Sequence, residues 1–484
     1  MNWKVRPRAC QSMPRGLLAL DPRQGRWMSV QRTVRASVDD WVDRIALQHP
    51  ARIALGAFGS VILLFTGLLS LPIATLDGHR APFIDALFTA TSAVCVTGLT
   101  TVDTGTYWSP MGLAFIATGI KVGGLGIMTL ASLVGIAVSR RIGLTQRILA
   151  AGEARATGLG DLRSLLKTIV IVSTSAEALI ALVLFPRFLT LDYGLGKSAG
   201  FSVFYAISAF NNAGFSPDPL GLYPYSGDLW MLLPIGLGVF VGALGFPVYL
   251  NMMREWRHPR RWTLHTKLTL VTIMSLAAIS ATFLGLFEWT NPKTLGHAST
   301  AETVGNIFFQ SINQRSGGFA SFDIGQAREH TWLLEDVLMF IGGGSGSTSG
   351  GIRVTTLAVL VLAIWAEARG RRDVEAFGKR IGTEVLRLAV SVTLVSLFVV
   401  IIGTTVFLWQ TNISLDRALY EVVSAYATCG LSTGITGSLD ADAKATLIVL
   451  MYVGRVGSLT VVAALALNKR RRVIRYPKER PLIG

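Results

Sequence analysis

Apolar residues in this chain gather into long segments separated by short polar stretches. Runs near 51–73, 109–136, 166–190, 229–252, 266–289, 332–366, 386–410 and 444–467 are each long enough, at about 20 residues, to cross the hydrocarbon layer of a bilayer. Eight crossings return the chain to the side on which it started. Between the two members of each successive pair lies a shorter element, an apolar run of half-helix length that ends in a small, polar, glycine-containing stretch. These are residues 83–99 (FIDALFTATSAVCVTGL), 203–215 (VFYAISAFNNAGF), 307–319 (IFFQSINQRSGGF) and 419–431 (LYEVVSAYATCGL).

Aligned on Gly98, Gly214, Gly318 and Gly430, the four copies share a Ser at or one step from the same upstream offset, the Gly, and then Leu or Phe. The glycines recur about every 105–115 residues, and repetition at a fixed period marks one architecture used several times. The expected organisation is an all-α integral membrane protein of four span–half-helix–span units at 51–136, 166–253, 266–366 and 386–467, arranged around an axis. A basic segment, 1–50, precedes them and a basic tail, 468–484, follows.

Composition agrees with a bilayer. Of 484 residues 51% are hydrophobic and 15% charged, and the mean hydropathy is +0.50, whereas soluble domains carry roughly 25% charged residues. The net charge of +16 raises nucleic acid as a partner, but the basic residues cluster between apolar runs, at 140–147, 254–267, 369–379 and 469–480. That is the positive-inside pattern, which places these loops and both termini in the cytoplasm. The loops at 216–228 and 438–442 are acidic or neutral and face outside. No nucleic-acid recognition module is present, and the N-terminal stretch lacks a signal peptide's apolar core. Three cysteines (Cys10, Cys95, Cys429) and six scattered histidines offer neither a disulfide framework nor a metal site, and no clustered nucleophile and base suggests an enzyme.

Non-helical backbone inside a membrane must face protein or water. Four re-entrant turns meeting at an axis would present carbonyl oxygens able to replace a cation's hydration shell. Glycine allows the required backbone and brings no side chain into the path. The C-terminal ends of the half-helices add partial negative charge. In a single copy such a glycine reads as a helix-packing position; four copies in register favour a pore.

Residues 92–100 (SAVCVTGLT), 210–215 (FNNAGF), 315–319 (RSGGF) and 428–432 (TCGLS) resemble the four filter loops of the Trk/Ktr/HKT superfamily of K⁺ transporters, over nearly everything from about 51 to 468. The chain has no apolar room for the two extra N-terminal helices of Trk-type members and is closest to the Ktr-type pore subunit. The resemblance implies a selectivity filter of Val96, Thr97, Gly98, Asn212, Ala213, Gly214, Ser316, Gly317, Gly318, Thr428, Cys429 and Gly430. Serine at the first glycine marks sodium-permeating members of the plant branch, so Gly98 argues for K⁺. The resemblance also implies K⁺ as the transported ion, with Na⁺ a candidate activator, a homodimer, and a cytoplasmic ring of nucleotide-binding RCK subunits. The chain itself contains no nucleotide fingerprint and calls for no organic cofactor.

The run Gly342, Gly343, Gly344, Ser345, Gly346, Ser347, Thr348, Ser349, Gly350 and Gly351 interrupts an apolar segment. It is read as an intramembrane loop lining water or buried in protein, against the alternative of an extramembrane linker. In the resembling family this element obstructs the pore and acts as its gate. Arg455, midway along the last span, must face protein or a cavity, either pairing helices or, as the resemblance implies, standing beside the gate as an electrostatic barrier. Lys121 and Glu177 lie at matching depths and are expected to form a structural ion pair. Asp85 is expected to cap its half-helix, and Glu421 lies within another. A secondary transporter coupled to Na⁺ or H⁺ is the alternative function. It favours two large inverted halves and titratable groups at the site, whereas here four short units carry no carboxylate in any glycine turn.

Overall fold

A computed structural model describes residues 50–140 and 162–467. The basic segments 1–49, 141–161 and 468–484 lie outside the described residues, and with them Cys10 and the expectations for both ends of the chain.

The described chain is mostly helical. Its order is α1 (Pro50–Leu69), half-helix α2 (Phe83–Val94), α3 (Pro110–Arg140), α4 (Leu162–Thr190), half-helix α5 (Leu195–Asn211), α6 (Leu229–Leu244), α7 (Phe246–Arg254), α8 (Leu264–Glu288), half-helix α9 (Thr300–Asn313), α10 (Glu329–Ile341), α11 (Val354–Ala368), hairpin β1 (Val374–Ala376) and β2 (Lys379–Ile381), α12 (Thr383–Gln410), half-helix α13 (Leu415–Tyr426) and α14 (Ala441–Leu467). Among the described residues, four helices are long and apolar enough to cross a membrane: parts of α3 and α4, and all of α8 and α12. In α12, Ala389, Val392, Ser396, Val400, Gly403 and Phe407 face inward at helical spacing, while Phe398, Ile401 and Ile402 are exposed. That apolar outer face suits lipid.

The expected uninterrupted span over 229–252 is broken. Helices α6 and α7 meet at 94°, because Gly245 adopts φ +95 and Pro247 follows it. The backbone groups freed by the break are bonded by the loop after α10: Gly344 N donates to Ala243 O at 2.8 Å, and Phe246 N to Gly346 O at 3.1 Å. The apolar segment 332–366 is likewise two helices, α10 and α11, joined by that loop. The basic stretch near 369–379, expected as plain loop, enters a hairpin pairing Val374 with Ile381 and Ala376 with Lys379. Its two-residue turn, Phe377 and Gly378, has φ +52 and +74, as a type I′ turn requires.

The half-helices have 12, 17, 14 and 12 residues, too short to span, and their inner turns are buried. Each packs on a neighbouring helix of its own repeat and on the helix that follows the half-helix of the repeat before it: α2 on α3 and α14, α5 on α6 and α3, α9 on α8 and α6, and α13 on α14 and α10. The last of these contacts leads back to the first, so the four repeats close on themselves.

Candidate functional site

Each half-helix ends in a turn whose glycine is left-handed: φ is +101 at Gly98, +69 at Gly214, +72 at Gly318 and +97 at Gly430. Two residues earlier, Val96, Asn212 and Thr428 are left-handed as well, at +55, +59 and +48, whereas Thr97, Ala213 and Cys429 between them are not. Alternating handedness turns successive carbonyls toward one side, where an ordinary strand would alternate them. The third turn differs, since neither Ser316 nor Gly317 is left-handed.

Side chains of the half-helices hold the turns. Gly98 N donates to Ser92 Oγ at 3.0 Å and Gly430 N to Ser424 Oγ at 3.1 Å, while Ser208 Oγ donates to Phe215 O at 2.8 Å. The serine shared by the repeats therefore has a purpose in three of them. In the third, Ser311 bonds Phe308 O inside its own helix. Asn313 does the work instead, donating to Phe319 O and accepting from Phe319 N.

The four glycines stand against one another. A Cβ at Gly98 would lie 2.3 Å from Ala213 O, at Gly214 2.7 Å from Gly318 Cα, at Gly318 2.3 Å from Cys429 O, and at Gly430 2.1 Å from Thr97 O. Every neighbour is backbone of another repeat, and together they form a closed ring. The hydroxyls of Thr97, Ser316 and Thr428 are buried there with no protein partner.

Above the ring lies a cavity of 390 Å³ lined by all four glycines and by Asp103, Asp218 and Asp323. These carboxylates follow their glycines by five, four and five residues, a regularity that extending the repeat alignment would have revealed. Asp103 accepts from Gly105 N and Thr106 N, Asp323 from Gly325 N, and Asp218 from the hydroxyls of Tyr193 and Tyr225. The fourth repeat has no carboxylate in this place. Its acid is Glu421, buried within α13 and accepting from Ser432 Oγ at 2.6 Å, Thr433 N at 3.0 Å and Thr436 Oγ1 at 2.9 Å.

On the opposite side of the ring, the 342–351 loop is packed in protein. Gly342 and Gly351 are left-handed, at φ +72 and +73. Gly350 passes so close to the fourth turn that a Cβ would lie 2.0 Å from Ala427 O, and one on Gly343 would meet Ser349 Oγ at 2.3 Å. Ser345 Oγ bonds Thr355 Oγ1, and Ser347 Oγ donates to Gly344 O. Thr348 is the junction. Its hydroxyl donates to Gly242 O at 3.1 Å, it lies 2.7 Å from the Asn212 side-chain amide, and its carbonyl accepts from Arg455 Nη1. Arg455 is buried, and its Nε and Nη2 have no protein partner. Arg353, which the sequence did not single out, donates to Gly344 O at 3.1 Å and Ser347 Oγ at 3.3 Å. The arrangement thus joins three layers: an acidic mouth, a ring of backbone, and a loop across its other side.

The remaining singled-out charges divide. Lys121 and Glu177 form an ion pair at 2.6 Å, with Ser173 Oγ 3.0 Å from the ammonium, and Asn211, next to the second turn, donates to the other Glu177 oxygen at 2.9 Å. Asp85 is not a cap. The N-cap of α2 is Pro82, and Asp85 instead accepts from Lys444 Nζ of α14 at 2.9 Å. That bond crosses between the first and fourth repeats, which the sequence separates by most of its length.

The TrkH family, described as a cation transport protein, matches residues 30–471. The chain is 38% identical over 439 residues to the Ktr system potassium uptake protein B of Bacillus subtilis (strain 168), covering 91% of this chain and 97% of that protein. It is 34% identical over 445 residues to the potassium/sodium uptake protein NtpJ of Enterococcus hirae, covering 89% and 96%. A solved structure, the potassium transporter TrkH from Vibrio parahaemolyticus, matches with a TM-score of 0.65 over 86% of this chain and 85% of that one. At 18% identity that likeness speaks for the fold alone.

Proposed function

This chain belongs to the TrkH family of cation transport proteins, and from that premise we propose that it is the K⁺-permeating subunit of a potassium uptake system. It is a multi-pass membrane protein and a transporter, not an enzyme. In this reading the chain crosses the bilayer eight times, as four span–half-helix–span units at 51–136, 166–253, 266–366 and 386–467 around a pseudo-fourfold pore. Both termini are cytoplasmic, as the basic loops require.

The observation that carries the reading is the closed ring of four left-handed glycines, each against the backbone of the next repeat. Residues 96–98, 212–214, 316–318 and 428–430 form the selectivity filter, their carbonyls and the free hydroxyls of Thr97, Ser316 and Thr428 taking the place of a cation's water. The acidic mouth raises the local concentration of cations. The half-helix C-termini favour a positive charge on the far side. There the 342–351 loop and Arg455 form the gate, a constriction backed by a buried guanidinium that repels K⁺ until the loop moves.

K⁺ is supported by the names of the relatives, one of which also carries sodium in its name. Relatives named for a Ktr system support partner subunits, which in this reading are a second copy of this chain and a cytoplasmic nucleotide-binding RCK ring. The test is K⁺ and Na⁺ flux into liposomes holding the purified protein, with Gly98→Ser alongside. Fast K⁺-preferring flux whose preference falls at least about tenfold in the variant, some 1.4 kcal/mol of discrimination, is expected. Saturating, Na⁺- or H⁺-coupled uptake indifferent to Gly98 would overturn the reading in favour of a secondary transporter.

A further inference from the structure

Outside the ring, α10 and α13 pack side by side, and a groove of 680 Å³ opens between their first turns, lined by Glu329, Trp332, Leu333, Asp336, Asp416 and Arg417 among others. None of the four glycine turns contributes to it. Asp336 is its most telling residue. It is 7% exposed, and its Oδ1 is sealed from solvent without a hydrogen-bond partner. The neighbouring buried acids are satisfied: Tyr420 donates to Glu335 at 2.5 Å, and Ser432 and Thr436 donate to Glu421. Asp336 has no such donor, and Glu335, Glu421 and Asp416 all stand near enough to repel its charge. A buried acid left in this way either keeps its proton or is met by a cation, because the bare carboxylate is costly there.

The groove fits an organic cation better than a bare ion. Among the described residues no group of three His, Cys, Asp or Glu side chains is placed to hold a metal, and the volume far exceeds what one ion occupies. The wall also carries a single positive group, the Arg417 guanidinium, 5.6 Å from the centre of the Trp332 ring. Three carboxylates and one guanidinium complement a ligand that bears an ammonium and, a few bonds away, an anion. Leu333 and Leu415, each 62% exposed, border the groove and continue it onto apolar surface.

We propose that this groove seats the headgroup of an aminophospholipid, phosphatidylethanolamine. Its ammonium lies against Asp336 and Asp416, its phosphate on Arg417, and its acyl chains along Leu333 and Leu415. A primary ammonium brings three N–H donors to the acids that line the groove; the quaternary ammonium of phosphatidylcholine brings none. Because α13 runs into the fourth glycine turn, the lipid steadies the outer end of that half-helix.

The test is lipid retention by the whole purified protein, read by native mass spectrometry after incubation with equal amounts of phosphatidylethanolamine and phosphatidylcholine of matched chains. The readout is independent of cation flux. Wild type is expected to retain phosphatidylethanolamine at least about tenfold over phosphatidylcholine. Asp336→Asn, nearly isosteric, should bring that ratio close to one. Arg417→Gln, on a half-buried side chain, should weaken retention and supplies the comparison if Asp336→Asn fails to fold. Equal retention of the two lipids by wild type would overturn the assignment, as would a preference that survives in the folded variants. Displacement of the lipid by millimolar soluble ethanolamine would also overturn it, marking a site for a free amine instead.

Discussion

The third and fourth repeats share a glycine at one spacing from their turns and use it differently. Gly454 follows Gly430 by 24 residues and lies inside α14, where its missing side chain lets the helix sit on the end of half-helix α13; a Cβ there would be 1.8 Å from Tyr426 O. Gly123 in α3 and Gly242 in α6 seat Val94 O and Phe210 O in the same manner. The third repeat also has a glycine 24 residues after its turn, Gly342, but there α10 stops and the 342–351 loop begins. What is a helix-packing seat in three repeats is, in one, the point of departure for a loop that crosses behind the ring. The fourth repeat is held there by backbone against backbone. The loop has backbone bonds to the break between α6 and α7, and beyond those it is held by side-chain hydrogen bonds, chiefly those of Thr348. Backbone contacts of the first kind cannot be released without unfolding, whereas bonds of the second kind can be broken and remade, as a gate requires.

Gly454→Ala should show the largest effect, because the atom in its way is backbone within a buried seam. Overpacking of this kind costs typically 1–3 kcal/mol and more where nothing yields, so the thermal midpoint and the yield of folded protein should both fall clearly. Gly343→Ala is the matched control in the loop. Its nearest obstacles, Ser349 Oγ at 2.3 Å and Ser349 Cβ at 2.7 Å, belong to the loop itself and shift with it, so the variant should lose less stability than Gly454→Ala. Equal melting temperatures for the two variants would break the distinction between seat and loop.

An intermediate effect is expected from Thr348→Val, which keeps the shape of the side chain and removes the hydroxyl bonded to Gly242 O and beside Asn212. Net contributions near 1 kcal/mol per hydrogen bond predict that the loop leaves its place on the order of five- to thirtyfold more often. Cation flux into liposomes should rise by a similar factor up to its ceiling. The K⁺/Na⁺ preference, set in the ring, should stay as it is. Unchanged flux, or a changed preference, would mean that Thr348 supports the ring rather than holding the loop.

These two levels were unequally legible in the sequence. The glycines, the half-helices and the loop were readable because they depend on local composition and on a repeat visible in one chain. The anchors were less so: the resemblance put Arg455 beside the loop, but Thr348 meets Gly242 across more than a hundred residues, and nothing near Thr348 announces that partner. Asp85 misled for the same reason: an acid in a helix's first turn reads as a cap, while Lys444 lies at the far end of the chain. The break at Gly245 was hidden by an apolar run that continues through it. Asn313 was obscured by Ser311, which has the shared residue type near the expected offset but turns to its own helix. The vestibule acids could have been found, since Asp103, Asp218 and Asp323 keep nearly constant spacing from their glycines.

Those acids supply the finest test of the comparison, because Asp323 belongs to the third repeat and the fourth has no counterpart. Asp323→Asn makes the mouths of the two repeats alike while keeping the cap, since an asparagine oxygen still accepts from Gly325 N. Only the charge is lost. A charge at a vestibule wall acts on ions through a medium whose screening length is about 30 Å at 0.01 M salt and about 3 Å at 1 M. Flux should therefore fall about twofold at low ionic strength and converge on wild type near 1 M salt, with selectivity and thermal stability unchanged. A deficit that persists at high salt would assign Asp323 to holding the third turn in shape, and the acidic mouth would then be structural rather than a means of gathering cations.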